Sequence, residues 1–255
     1  MSLIKVIKNV GGQKQYGVEF ERDPTLHTVA RLINSKDGRV EGFANMVLGS
    51  NKKTLNVNSS LYDTEPMIPA GKQNIAVLIS GESDTGKSTM GAMLAMQYIK
   101  IYPNRPMYFI SQKKKEVDRN FSKIKELQQL GAEEIEVFDI NEYSDCLFII
   151  DDSDFGKQKK KVMEVLNLIS TVGREYRISW IFISHNNSKL NETNAFKEFQ
   201  IYITYQNNLT NNRMLHQNMG FTNQQIENFK AMNSTYYVFN RIYNSLITEY
   251  GVHKY

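Results

Sequence analysis

Between Gly81 and Thr89 the chain reads GESDTGKST, which sets Gly81, Gly86, Lys87 and Ser88 at the spacing G-x-x-x-x-G-K-S. In such a loop, backbone N–H groups and the start of the next helix bind phosphate oxygens, the lysine reaches the β and γ phosphates, and the hydroxyl ligates Mg²⁺. The expected nucleotide-binding set is therefore Gly81, Glu82, Ser83, Asp84, Thr85, Gly86, Lys87, Ser88 and Thr89, with ATP and Mg²⁺ as the ligands. Two members of this cradle, Glu82 and Asp84, are acids. Because the loop binds through its backbone, those side chains can point away from the triphosphate.

A second pair of acids, Asp151 and Asp152, ends the apolar run LFIIDD. A buried strand ending this way delivers carboxylates to the edge of a sheet, beside the phosphate loop. Asp151 is expected to hold Mg²⁺ with Ser88, and Asp152 to orient or deprotonate the attacking water. Asp154 reads as an N-cap of the following helix. The run ISWIFIS ends in Ser184-His185-Asn186, a polar tip from which either Asn186 or His185 can reach the γ-phosphate or the water. Arg174 and Arg177 precede that run in GREYRIS. Arg174 admits two readings, a finger completing a neighbouring subunit's site or a cation at a helix C-terminus, whereas Arg177 fits the second.

These residues need a frame of strands alternating with helices. IAVLIS (75–80), MYFIS (107–111), CLFIIDD (146–152) and ISWIFIS (178–184) are apolar runs of buried-strand length. Helical patterns lie between them, at 87–102, 117–131 and from the second acidic pair to about Tyr176, with a further possible strand at 135–140. That alternation predicts an α/β domain with a mainly parallel central sheet and crossover helices. Before it, turn signals at Gly11-Gly12 and Asp37-Gly38 cut short β segments, which predicts a small N-terminal β-rich module. The stretch 58–74, with Pro66, Pro69 and Gly71, reads as a linker. The tail holds IYITYQ, two short helical pieces between Leu209 and Met232, and a C-terminal β-hairpin in TYYVFNRIYNSLITEYG. The expected domains are 1–70 and 71–255.

The chain has 255 residues and a net charge of +4, mildly basic and compatible with a polyanionic partner. Lysine runs at 113–115 and 157–161 follow strand ends and suit either phosphate contact or a solvated helix start. A single cysteine, Cys146, forbids an intramolecular disulfide. The N-terminus lacks a signal-peptide pattern and no apolar run approaches the roughly 20 residues of a membrane span. A soluble, intracellular protein is expected. The histidines show no metal-ligand spacing.

The ordered set GESDTGKS, LFIIDDSD and GREYRISWIFISHN resembles the DNA-packaging ATPases of large eukaryotic DNA viruses and virophages, within the FtsK/HerA superfamily. The resemblance covers about Ile75 to Tyr205. It implies a RecA-like P-loop NTPase of the ASCE type that hydrolyses ATP to drive double-stranded DNA into a preformed capsid. It further implies a ring of identical subunits, a pentamer or hexamer, with capsid or portal-vertex proteins as partners, in the host cytoplasm (the virus factory) or the virion. Arg174 then matches the trans-acting finger, and Asn186 the sensor that is commonly glutamine, beside His185 here. Asp84 stands where the superfamily often has glycine, a place requiring positive φ that aspartate tolerates. Related pumps often carry an N-terminal β-barrel.

Two other classes share the loop. A small-molecule or nucleoside kinase needs an acceptor pocket and usually an arginine-rich lid, which is not evident. A nucleotide-dependent virion assembly factor needs little turnover. A GTPase is disfavoured, because Asn51-Lys52 precedes the loop and lacks the aspartate of a guanine-reading motif.

Overall fold

Runs rich in Val, Ile and Phe with no polar alternation suit strands covered on both faces. The computed structural model describes residues 5–8, 16–20, 28–34, 40–49, 52–57, 63–66, 74–111, 120–122, 124–125, 127–151, 158–185, 195–209, 214–242, 244–248 and 252–254. The chain divides into two compact units, Met1–Ala70 with Ser234–Tyr255, and Gly71–Asn233. The expected division at 70/71 left the tail from Ser234 with the second unit.

The first unit begins with strands β1 (Lys5–Lys8), β2 (Tyr16–Phe20), β3 (Thr28–Asn34), β4 (Val40–Gly49), β5 (Lys52–Val57) and β6 (Asp63–Pro66). β2 to β5 form an antiparallel sheet in chain order, with Asp37-Gly38 between β3 and β4. β6 lies inside the stretch read as a linker and pairs antiparallel with β1. Proline at β6's end, Pro66, masked its strand character in the sequence.

In the second unit the strands are β7 (Ala76–Ser80), β8 (Met107–Ile110), β9 (Leu127–Gln129), β10 (Leu147–Asp151), β11 (Ser179–Ser184) and β12 (Ile201–Tyr205). They line up in the order β12-β7-β11-β10-β8-β9, each neighbouring pair parallel. β7, β10, β11 and β12 are buried along their whole length, as their sequences require. The order sets β11 between the strand that leads into the phosphate loop and the strand that ends in Asp151. That inserted strand is the arrangement of RecA-like P-loop NTPases.

Helix α1 (Lys87–Ile101) buries Lys87, Gly91, Leu94, Ala95 and Tyr98, a stripe at helical spacing. α3 (Lys159–Val172) does the same with Val162, Val165, Leu166 and Ile169, and ends at Gly173, a few residues before the expected Tyr176. Cys146 is buried just before β10, and burial pushes its thiol up to about 12, with the Asp145 charge adding to the rise. The group stays protonated at neutral pH and is a poor nucleophile.

Two elements differ from the sequence reading. Among the described residues of 117–131 there is no helix: turns at 120–122 lead into the edge strand β9. Phe121, Ile124, Leu127 and Leu130 are all buried, and their three-residue spacing imitates a helical stripe. Turn bonds from Ile124 N to Phe121 O and from Leu127 N to Ile124 O account for that spacing. The possible strand at 135–140 is instead a short helix, α2 (Ala132–Glu136), followed by a 3₁₀ turn at Ile140–Glu142. The carboxylate of Glu134 accepts from Gly131 N, and Glu133 and Glu134 favour a helix N-terminus.

After β12 come a 3₁₀ turn (Gln206–Asn208), a π-helical turn (Met214–Asn218) and α5 (Asn223–Ala231), following the one-turn α4 (Ala195–Glu198). In the first unit, β13 (Tyr236–Asn240) and β14 (Ser245–Thr248) form the expected hairpin, and β15 (Val252–Lys254) extends it. Among the described residues no helix is long and apolar enough to cross a membrane.

Candidate nucleotide site

Parallel pairing fixes which residues leave the sheet together. Ser80 registers with Ser184, and Ile183 registers with both Ile79 and Asp151. The phosphate loop, His185 and the chain beyond Asp151 therefore emerge from one edge, the C-terminal ends of β7, β11 and β10. Ligands of open parallel sheets bind at that edge, where strand order changes direction.

The loop between β7 and α1 is held from both sides at its first residue. Gly81 N donates to the Ser184 carbonyl at 3.3 Å, tying the loop to β11. On the other side the Tyr205 ring, at the end of β12, lies so close that a Cβ on Gly81 would come within 2.7 Å of its Cδ2. A side chain at 81 would displace either the ring or the loop.

Farther along, Asp84 has φ 60 and Gly86 has φ 93, two left-handed residues that bend the backbone around the start of α1. Asp84 takes the conformation anticipated from its sequence position. No side chain caps α1 and no acid stands in its first turn, which leaves the positive end of the helix dipole to an anion. Glu82 and Asp84 are exposed. The Thr85 hydroxyl donates to the Glu82 carbonyl at 2.9 Å and closes the turn.

Three side chains then converge. Lys87 is 4% exposed and its ammonium donates to the Glu82 carbonyl, which keeps the charge over the loop. The Ser88 hydroxyl donates to Oδ2 of Asp151 at 3.5 Å, across the gap between α1 and β10. Asp151 is 3% exposed. Thr89 reaches Asn120 Oδ1 at 3.4 Å, a contact the sequence did not announce because 120 fell in the expected helix.

A hydroxyl and a buried carboxylate side by side are the donor set of a small hard cation that keeps water and phosphate as its other ligands. Ser88 and Asp151 thus fit Mg²⁺, and the loop with Lys87 fits the phosphates. No cluster of three or more His, Cys, Asp or Glu able to hold a metal occurs among the described residues.

The remaining expected site residues fall into two groups. Asp152, Asp154, Asn186, Lys113 to Lys115 and Lys157 lie outside the described residues. His185 is described and exposed, directly after β11. Lys159 and Lys160 are exposed in the first turn of α3. Arg174 is exposed in the turn after α3, at the opposite edge of the sheet from Lys87. The length of β11 separates the two edges, about 17 Å at the usual rise. Arg177 is committed elsewhere, since its guanidinium pairs with Asp145.

Replacing Asp84 by glycine tests whether that acid does more than adopt the left-handed turn. Glycine accepts φ 60 without strain. Nucleotide affinity is expected to stay within about two-fold of wild type or to tighten, since an αL residue other than glycine costs about 1 kcal/mol. Isothermal titration with a non-hydrolysable ATP analogue measures it; a large loss would show that the carboxylate acts on the ligand.

No protein-family model matches the chain. The chain is 29% identical over 168 residues to the uncharacterized protein V3 of Sputnik virophage, covering 58% of this chain and 65% of that protein, just under two thirds of its length. Among solved structures it is similar to B204, the DNA-packaging ATPase of Sulfolobus turreted icosahedral virus, with TM-score 0.48 and 15% identity over 71% of this chain and 97% of that one. It is also similar to the B204 genome packaging NTPase of Sulfolobus turreted icosahedral virus 2 in complex with AMPPCP, with TM-score 0.45 and 13% identity over 71% and 98%. A KaiC-like protein from Pyrococcus horikoshii gives TM-score 0.38 and 18% identity over 53% and 72%. Likeness at this level carries no residue's role across. What the chain resembles is a virophage protein in sequence and viral genome-packaging NTPases in structure.

Proposed function

We propose that the chain is an ATPase that works as a ring of identical subunits and drives double-stranded DNA into a preformed viral capsid. The observation that carries the nucleotide part is the buried Lys87 beside the Ser88–Asp151 pair at the mouth of a phosphate loop. The DNA part is supported by the resemblance of the ordered motifs, with the exposed Lys159 and Lys160 on the same edge as weaker support.

In this reading the backbone N–H groups from Gly81 to Thr89 and the start of α1 bind the phosphates, and Lys87 neutralises charge that grows between the β and γ phosphates. Ser88 and Asp151 hold Mg²⁺, which when bound screens the phosphate charge and fixes the geometry of attack. Asp152, next in the chain, orients or deprotonates the attacking water. Asn186 or His185, at the tip of β11, senses the γ-phosphate. The transferred phosphoryl group leaves to water, so the products are ADP and inorganic phosphate.

Arg174 cannot serve its own subunit's loop across the sheet, which supports its action on a neighbour's nucleotide. A ring meets that requirement, because each site then receives its arginine from the next subunit. Partners in this account are double-stranded DNA, further copies of the chain, and capsid or portal-vertex proteins, in the virus factory of the host cytoplasm or in the virion.

Displacement of a third strand from a DNA triplex by the protein and ATP tests translocation directly. ATP-dependent displacement is expected, with none when a non-hydrolysable analogue replaces ATP. Steady ATP hydrolysis with no displacement, on blunt or long duplex, would remove DNA movement from the account and leave the ATPase.

A further inference from the structure

The turn that carries Arg174 is pinned at several points: Tyr176 Oη donates to Asn141 Oδ1 at 2.7 Å, and two further bonds lead to Asp145. Within the turn, Arg177 N donates to Arg174 O at 3.2 Å and Ile178 N donates to Gly173 O at 2.8 Å, with Arg177 at φ 57. From outside, Asp145 N donates to the Tyr176 carbonyl at 3.0 Å, and the Asp145 carboxylate takes the Arg177 guanidinium. The same carboxylate takes Arg105 at 3.1 Å. Arg105 is in turn fixed at the far end of α1, where its guanidinium donates to Tyr98 Oη at 3.4 Å and lies 4.3 Å over the Tyr102 ring. Arg174, by contrast, stands exposed on the turn these bonds define.

We infer that Asp145 is a positioning residue, holding the turn 173–177 so that Arg174 is presented to a neighbouring subunit's nucleotide. The inference rests on the proposed trans action of Arg174 and deepens it. Its physical basis is the exposure of the network. Side chains of Asp145, Arg105 and Arg177 are 33%, 17% and 48% exposed. The Arg177–Asp145 pair, the more open of the two, adds little to global stability, so its effect is local: it fixes which way the turn faces. Arg105 joins that turn to α1, whose other end is the phosphate loop.

The test uses Asp145→Asn, which removes the charge while keeping a residue that tolerates the positive φ of 47 found at this position. Arg177→Ala breaks the same bond from the other side and serves as the second variant. A misplaced catalytic group costs about ten- to a hundred-fold in rate. That fall in kcat is expected for Asp145→Asn, with the KM for ATP unchanged, because the variant's own phosphate loop is intact. Mixing with Lys87→Ala subunits, whose Arg174 turns are sound, should restore turnover at the Asp145→Asn sites. A damaged fold would not be rescued in that way.

Wild-type turnover in both variants would overturn the inference, as would a loss that mixing fails to relieve. Arg174→Ala run alongside separates the two levels. If Arg174→Ala loses activity and is rescued by mixing while Asp145→Asn and Arg177→Ala are fully active, the trans reading stands and only the role of Asp145 falls. If Arg174→Ala is itself fully active, both fall.

Discussion

Lys87→Ala is expected to abolish ATP turnover. The ammonium is nearly excluded from water, where a point charge acts more strongly than at the surface. In the proposed site its loss would leave the phosphate charge to backbone N–H groups and Mg²⁺. Removing one preorganised donor typically costs on the order of 10² to 10³ in kcat, and here the donor is charged. Asp152→Asn should remove turnover to a similar extent by a different route, leaving nucleotide binding intact. Phosphate release and nucleotide titration on the two variants separate the routes. A wild-type rate in either variant would contradict the assignment.

Arg174→Ala carries the second large effect. A finger that stabilises the transition state is worth about 10³ to 10⁵ in rate, and it adds nothing to ground-state binding when it arrives from a neighbour. The variant should therefore lose at least about 10³ in kcat while its KM for ATP holds. Alone it is expected to form inactive rings. Mixed with Lys87→Ala subunits it regains activity, since each Lys87→Ala subunit lends an intact arginine to the variant's functional loop. A helix-end cation of no catalytic role would give a nearly wild-type rate. Loss of activity with no rescue at any mixing ratio would place the arginine's effect within its own subunit.

The parts of this molecule that were legible in the sequence are those whose chemistry is contiguous. Nine residues from Gly81 to Thr89 contain a loop, a helix start and the lysine that opens it, and the structure folds them as a loop running into α1. The strands β7, β10 and β11 were legible because burial on both faces demands unbroken apolar runs. The left-handed conformation of Asp84 followed from the resemblance, which sets it where the superfamily often has glycine. What escaped reading is tertiary. Phe121, Ile124, Leu127 and Leu130 kept a three-residue rhythm that turns and an edge strand share with a helix. The pairing of β1 with β6 joins residues far apart in sequence, Lys5 with Pro66 and Lys8 with Asp63, and Pro66 hid the second partner.

The same limit applies to the site. Tyr205 closes an apolar run and has no motif around it, yet its ring sets the room available at Gly81. Asp145 belongs to none of the motifs, and only the fold brings it to Arg105 and Arg177. Asp151 was the easier case, because a strand of known direction carried it to Ser88.

The central claim is that one chain supplies the loop, a second supplies the arginine, and DNA engages the ring. The rate of ATP hydrolysis per subunit, followed over protein concentration with and without double-stranded DNA, tests it most directly. The account predicts a rate that rises steeply with concentration as subunits assemble and rises further when duplex is added. A rate per subunit that is constant down to the dilute monomer and indifferent to DNA would contradict it.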